Sequence, residues 1–188
     1  NVIGNSQGEL HMWNAVKIDG DYYFVDTTWN DSADDANKYD YFNINETQLK
    51  HDHEFSKLAS EMTDEEICGD GKLNALTSNF EIPKCTEDEY NYYINTAPEF
   101  VSYSGEELIQ GLYEAAKNKE EYFHIYIDEN AFDYNYAVNQ LFFSQPQYFF
   151  NYTSVVNSRL SDYSIDINNM SIFQKEHLSV VTVVLKYI

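Results

Sequence analysis

Two runs rich in apolar, β-branched and aromatic residues, His11–Ile18 and Asp21–Thr28, flank the dipeptide Asp19-Gly20. That pattern predicts a β-hairpin closed by a two-residue turn. Gly20, and at small cost Asp19, can take the positive φ that a type I′ turn requires. In the resulting register Ile18 faces Asp21, Trp13 pairs with Asp26, and His11 pairs with Thr28. His11 and Asp26 then project from one face as diagonal neighbours, about 7–8 Å apart at the backbone, a gap an imidazole can close toward a carboxylate. A three-residue loop would turn one strand over and separate them.

Beyond the hairpin, Asp31 to Asn37 reads as a polar loop, with Thr28 and Asp31 ending the second strand and starting that turn. Calcium is the sharper alternative for the loop, but Ala33 stands where an EF-hand pattern needs its second acidic or amide ligand. Tyr39–Ile44 reads as another strand of the same sheet and Glu46–His51 as a short helical turn. Ser60 to Lys84 is the least regular stretch, with the character of an exposed insertion. Thr96-Ala97-Pro98-Glu99 marks a boundary, giving units 1–95 and 96–188. The second unit predicts a strand at Phe100–Tyr103, then a helix capped around Ser104 and running to Asn118. That helix carries Leu108, Leu112, Ala115 and Ala116 on one stripe. A strand at Tyr122–Ile127 and a helix at Phe132–Phe143 follow. Three β segments close the chain, Tyr148–Val155, Tyr163–Asn168 and Leu178–Tyr187, the last valine-rich and buried on both faces. Two helices on a mostly antiparallel sheet make a small α+β accessory domain, with no phosphate loop or cofactor motif.

Composition narrows the functional classes. The 188 residues hold 17 Tyr and 12 Phe, which marks a folded chain. The formal net charge is −21, from 32 acids against 11 bases. Such a surface repels phosphate backbones and anionic membranes, which excludes nucleic acid as a natural partner. The longest apolar run, near Val180–Leu185, is too short to cross a bilayer. Cys68 and Cys85 could form one disulfide in an oxidising compartment.

Chemistry concentrates in the hairpin. A histidine held by an aspartate is the base half of a nucleophilic triad, because the carboxylate fixes the ring's tautomer and orientation. His51-Asp52-His53 could suggest a metal site, but no third ligand lies nearby in sequence, and a structural role for His53 is preferred. No metal or cofactor is therefore expected.

The run His11-x-Trp13-Asn14-x-Val16-x-Ile18-Asp19-Gly20-x-Tyr22-Tyr23-x-Val25-Asp26-x-Thr28-Trp29-x-Asp31 resembles the His/Asp half of the bacterial transglutaminase-like superfamily. Gly4 fits the glycine that often ends the preceding strand in that family. Tyr41-Phe42-Asn43-Ile44, His53, Pro83-Lys84-Cys85-Thr86 and Tyr90-Asn91-Tyr92-Tyr93 are similar to a secreted bacterial branch. The resemblance covers roughly residues 1–95. It implies an α+β fold in which the first unit is the antiparallel-sheet part of a papain-like, transglutaminase-like core. It further implies His11 as general base, Asp26 as its orienter, and Trp13, Asn14 and Trp29 as packing or substrate-pocket residues. The substrate would be a protein or peptide, and the location extracellular or at a bacterial cell surface.

The family's cysteine lies upstream of the histidine, at a helix start that stabilises its thiolate. No cysteine precedes His11 here, so the expectation is a fragment or processed form whose upstream part supplies the sulfur. Alone it should be inactive. Cys68 is a poor substitute because the acids around it would raise its pKa, and Cys85 sits in a loop-like stretch. The alternative is a non-catalytic cell-surface binding module with a degenerate form of the same fold.

Overall fold

A computed structural model describes residues 1–31, 35–55 and 82–188. It is a mixed α+β protein with antiparallel sheets. Two compact units divide it, Asn1–Asn91 and Tyr92–Ile188. The expected insertion at Ser60–Lys84 falls almost wholly outside the described residues, as do Cys68 and the tip of the polar loop, 32–34.

The first unit is a five-stranded sheet in the order β4-β3-β2-β1-β5. Its strands are β1 (Val2–Ser6), β2 (Glu9–Ile18), β3 (Asp21–Val25), β4 (Phe42–Ile44) and β5 (His53–Glu54). Asp19 and Gly20 both take positive φ, 51° and 113°, and Ile18 pairs with Asp21, which is the type I′ hairpin the dipeptide predicts. Gln7 and Gly8, at φ 52° and 86°, close a second such hairpin between β1 and β2. The long central strand β2 thus pairs with β1 along its first half and with β3 along its second.

Two expectations for this unit are corrected. The β2–β3 ladder ends at Asn14↔Val25, and His11 pairs with Gly4 on β1 instead of Thr28. The chain leaves the sheet at Asp26 because that carboxylate caps helix α1 (Thr27–Asn30), accepting the backbone N–H groups of Thr28 at 2.9 Å and Trp29 at 3.1 Å. Gly4 lies inside β1 and does not end it. A Cβ there would stand 2.1 Å from the Glu54 carbonyl oxygen and 2.4 Å from the Trp13 ring, so only glycine lets β5 and Trp13 close over that position. Helix α2 (Glu46–Leu49) starts with a capping box, in which Asn45 and Gln48 each satisfy the other's backbone N–H. Leu49 anchors it in the core and the chain then delivers β5 to the sheet edge.

The second unit packs its helices on a three-stranded antiparallel sheet, β6-β8-β7. Its elements are α3 (Tyr92–Thr96), α4 (Glu106–Lys117), β6 (Tyr122–Tyr126), α5 (Tyr134–Val138), α6 (Tyr148–Asn157), β7 (Ser171–Lys175) and β8 (Val180–Val184). A π-helical turn, Asn139–Phe143, extends α5 to the expected end. Leu108, Leu112, Ala115 and Ala116 of α4 are buried as their stripe predicts, although Gly105 is the N-cap rather than Ser104. Central strand β8 is buried on both faces.

Three β expectations fail here. Tyr148–Val155 is helical: Phe149, Tyr152, Thr153 and Val156 are buried at the i, i+3, i+4, i+7 spacing of one helix face. Tyr163–Asn168 forms only a bridge, Ile165↔Tyr187, and gives way at Asp166 to a 3₁₀ turn, Ile167–Asn169, while the Asn157 side chain holds both backbone groups of Ile165 at 2.8 and 2.9 Å. Phe100–Tyr103 is irregular, with a single parallel bridge at Glu99↔Tyr126. The third strand is instead Ser171–Lys175, a half-exposed edge with little apolar signal.

Candidate functional site

Asp26 is 1 % exposed and stands where β3 gives way to α1. One of its oxygens, Oδ1, is occupied by the two cap N–H groups, which fixes the rotamer. The other, Oδ2, faces the Nε2 atoms of two histidines. His11 from β2 bonds it directly, and His53 from β5 lies 3.1 Å away. His11 keeps 17 % of its side-chain surface, whereas His53 has none. The Nδ1 atom of His53 meets Asp52 Oδ1 at 2.6 Å, and the Tyr41 hydroxyl donates to Asp52 Oδ2 at 2.5 Å.

Aromatic rings enclose this chain of groups. The Trp29 ring centre lies 4.9 Å from that of His53 and 5.8 Å from that of His11. Trp13 stands edge-on to His53 at 5.0 Å, and Tyr41 is 5.4 Å from it. Of the three residues proposed as pocket walls, Trp13 is buried to 1 % and packs beneath the site. Trp29 is half-buried and flanks His11. Asn14 is one residue out of phase with His11 and Trp13, so the strand's alternation carries it to the opposite face of β2.

Electrostatics follow from the contacts. Burial alone would raise the Asp26 carboxyl, but hydrogen bonds from His53, His11 and the Trp29 amide hold it below the ordinary carboxylate range. Burial opposes a charged His53, yet hydrogen bonds to Asp26 and Asp52 overcome this and raise its pKa. Burial, then the bond to Asp52, pushes the Tyr41 hydroxyl far up, so it stays a donor. Cys85 is fully buried and free, its Sγ 3.7 Å from the Pro83 carbonyl oxygen. Burial and the nearby Glu46 push its thiol up to about 12, the reverse of what a nucleophile needs.

Nε2 of His11, Oδ2 of Asp26 and Nε2 of His53 all lie within 4.8 Å of one another, the one such group of possible metal donors among the described residues. Imidazole nitrogens and a carboxylate oxygen are donor types that a divalent ion accepts, and in this arrangement both histidines hydrogen-bond Asp26.

Sequence reasoning singled out His11 and Asp26 and left out Asp52, His53 and Tyr41 as members of the same network. The alternation His51/His53 was the available signal. Its meaning depends on β5 pairing with β1, where Ser6 meets His53 across 47 residues of sequence. Among the described residues no helix is long and apolar enough to cross a membrane. No protein-family model matches this chain, and no curated protein matches it either.

Proposed function

We propose that the first unit is the His/Asp half of a transglutaminase-like thiol enzyme, with its five-stranded sheet as the sheet part of a papain-like core. His11 is the general base and Asp26 its orienter. A cysteine from a segment preceding His11 in the full product attacks an amide carbonyl of a protein or peptide; the C–N bond breaks, and the amine or ammonia leaves with the proton that His11 took from the thiol. The acyl group then passes from the thioester to water or an amine, and the thiol is restored. The observation carrying this reading is the bond from His11 Nε2 to a buried, rotamer-locked carboxylate. With Nε2 engaged, Nδ1 is the ring atom left to take the thiol proton, and the ring's residual exposure lets a nucleophile approach. Cys85 does not serve, being buried and far from thiolate character at neutral pH.

The test is acyl-transfer or amide hydrolysis by the full product carrying that cysteine, compared with its His11→Ala variant. Loss of the base should lower kcat/KM by roughly 10³-fold or more. A variant within tenfold of the parent defeats the assignment.

A further inference from the structure

Both ring nitrogens of His53 face carboxylate oxygens, Nδ1 at 2.6 Å from Asp52 and Nε2 at 3.1 Å from Asp26. A neutral imidazole has one N–H, so it would satisfy one acceptor and turn a lone pair on the other. The acids are committed as acceptors. Asp26 takes two backbone N–H groups on Oδ1 and faces His11 on Oδ2, and Asp52 takes the Tyr41 hydroxyl. His53 has no exposed side-chain surface through which bulk solvent could relieve a misplaced lone pair.

We propose that His53 is an imidazolium at neutral pH, a charged positioning residue that donates to Asp26 and Asp52 together. The base of the site is then one chain of five groups, Tyr41–Asp52–His53–Asp26–His11. This deepens the function proposed above and rests on it for the roles of His11 and Asp26. The groups facing the ring are Asp26 and Asp52, with His11 and Tyr41 one bond further on and the uncharged faces of Trp13 and Trp29 around them. Two carboxylates and one imidazolium leave the cluster with a single net negative charge while His11 is neutral. When His11 takes a proton from a thiol the cluster becomes neutral, so the charge gained by the base is compensated in place. Without the His53 charge, two carboxylates would flank one neutral ring, and one of them would be driven to bind a proton. Asp26 would then lose either its charge or its fixed hold on His11.

Nuclear magnetic resonance of the ¹⁵N-labelled chain reads this directly, through long-range ring ¹H–¹⁵N correlations of the histidines. At pH 7, His53 should carry protons on both nitrogens, and its deprotonation midpoint should lie above that of an ordinary histidine. Asp52→Asn, nearly isosteric, should lower that midpoint and leave one ring N–H. A neutral His53 in the folded parent chain at pH 7 overturns the proposal, and so does an Asp52→Asn chain whose His53 titrates unchanged. Should that variant fail to fold, the parent spectrum still decides. Zn²⁺ added alone should leave the ring signals in place, and saturable Zn²⁺ uptake that abolishes the N–H signals of His11 and His53 would overturn it in favour of a metal site. None of these readouts involves sulfur, so a failure here is separate from a failure of the acyl-transfer assay.

Discussion

Replacing Asp26 with alanine removes a helix cap and the shared acceptor of two histidines in one step. Loss of an N-cap aspartate costs about 0.5–2 kcal/mol. Taking away one partner of a buried ion pair costs about 3–5 kcal/mol, because the remaining charge is stranded. The low end of the second figure, about 3 kcal/mol, applies to His53, which is fully buried but keeps Asp52 at 2.6 Å, and not to His11, which keeps solvent contact. The sum, about 3.5–5 kcal/mol, is a large share of the roughly 5–15 kcal/mol that holds an ordinary domain folded. Urea unfolding reports it, and the two tryptophans of the chain, Trp13 and Trp29, both flank the site and give the fluorescence signal. With a slope of about 1.5 kcal/mol per molar urea, the midpoint should fall by about 3 M. Asp26→Asn keeps an oxygen for the cap while losing the charge, so its midpoint should fall by about 2 M. An alanine variant within about 0.5 M of the parent would refute the reasoning, since neither the cap nor the buried pair would then contribute as described.

The remaining expectations use the same kind of measurement. The raised pKa of His53 gives a stability contribution fully present below about pH 6.5 that is lost as pH rises through the folded value. The lowered pKa of Asp26 gives one present above about pH 3.9 and lost as pH falls through its folded value. The urea midpoint followed by tryptophan fluorescence should therefore be highest between about pH 4 and 6.5, and a midpoint still climbing above pH 8 contradicts this. Gly4→Ala drives a methyl into the Glu54 carbonyl and the Trp13 ring and should cost about 1–3 kcal/mol, with an unchanged midpoint counting against the packing described. Leu112→Ala opens a cavity in the second core and should destabilise it by about 2–5 kcal/mol, read from hydrogen exchange of the β8 amides, where a loss under about 1 kcal/mol is the contrary result. Cys85, buried with its thiol pushed up to about 12, should react with a thiol reagent at pH 8 at least about a hundredfold more slowly in the folded chain than in urea; equal rates contradict its burial.

What the sequence disclosed was local chemistry. Asp19-Gly20 fixes the hairpin because the turn's φ requirements lie within those two residues. The stripe of α4 fixes a helix because its neighbours are three and four positions apart. The failures have physical causes as well. Tyr148–Asn157 is rich in aromatic and β-branched residues, which favour strands, but its buried positions follow the helical period and packing decides. Ser171–Lys175 escaped notice because an edge strand with one weakly apolar face leaves little pattern. At the site, His11 and Asp26 were visible together because one turn joins them. Asp26 also proved to be a helix cap, which ended its strand earlier than the hydrophobic run suggested. His53 and Asp52 reach the same carboxylate only through a pairing at the far edge of the sheet.

That edge pairing implies an order of assembly. His11 and Asp26 are 15 residues apart and meet as soon as one short-loop hairpin has closed. His53 is 27 residues from Asp26 and arrives only when the two-residue strand β5 docks on β1. Closing the longer loop comes at the greater entropic cost, and a strand of that length has few bonds with which to hold its place. Amide exchange that opened the β2–β3 ladder before the Ser6–His53 pairing would reverse the sequence. The histidine–aspartate couple thus needs one hairpin in place, whereas its backing by His53 also needs the far edge of the sheet.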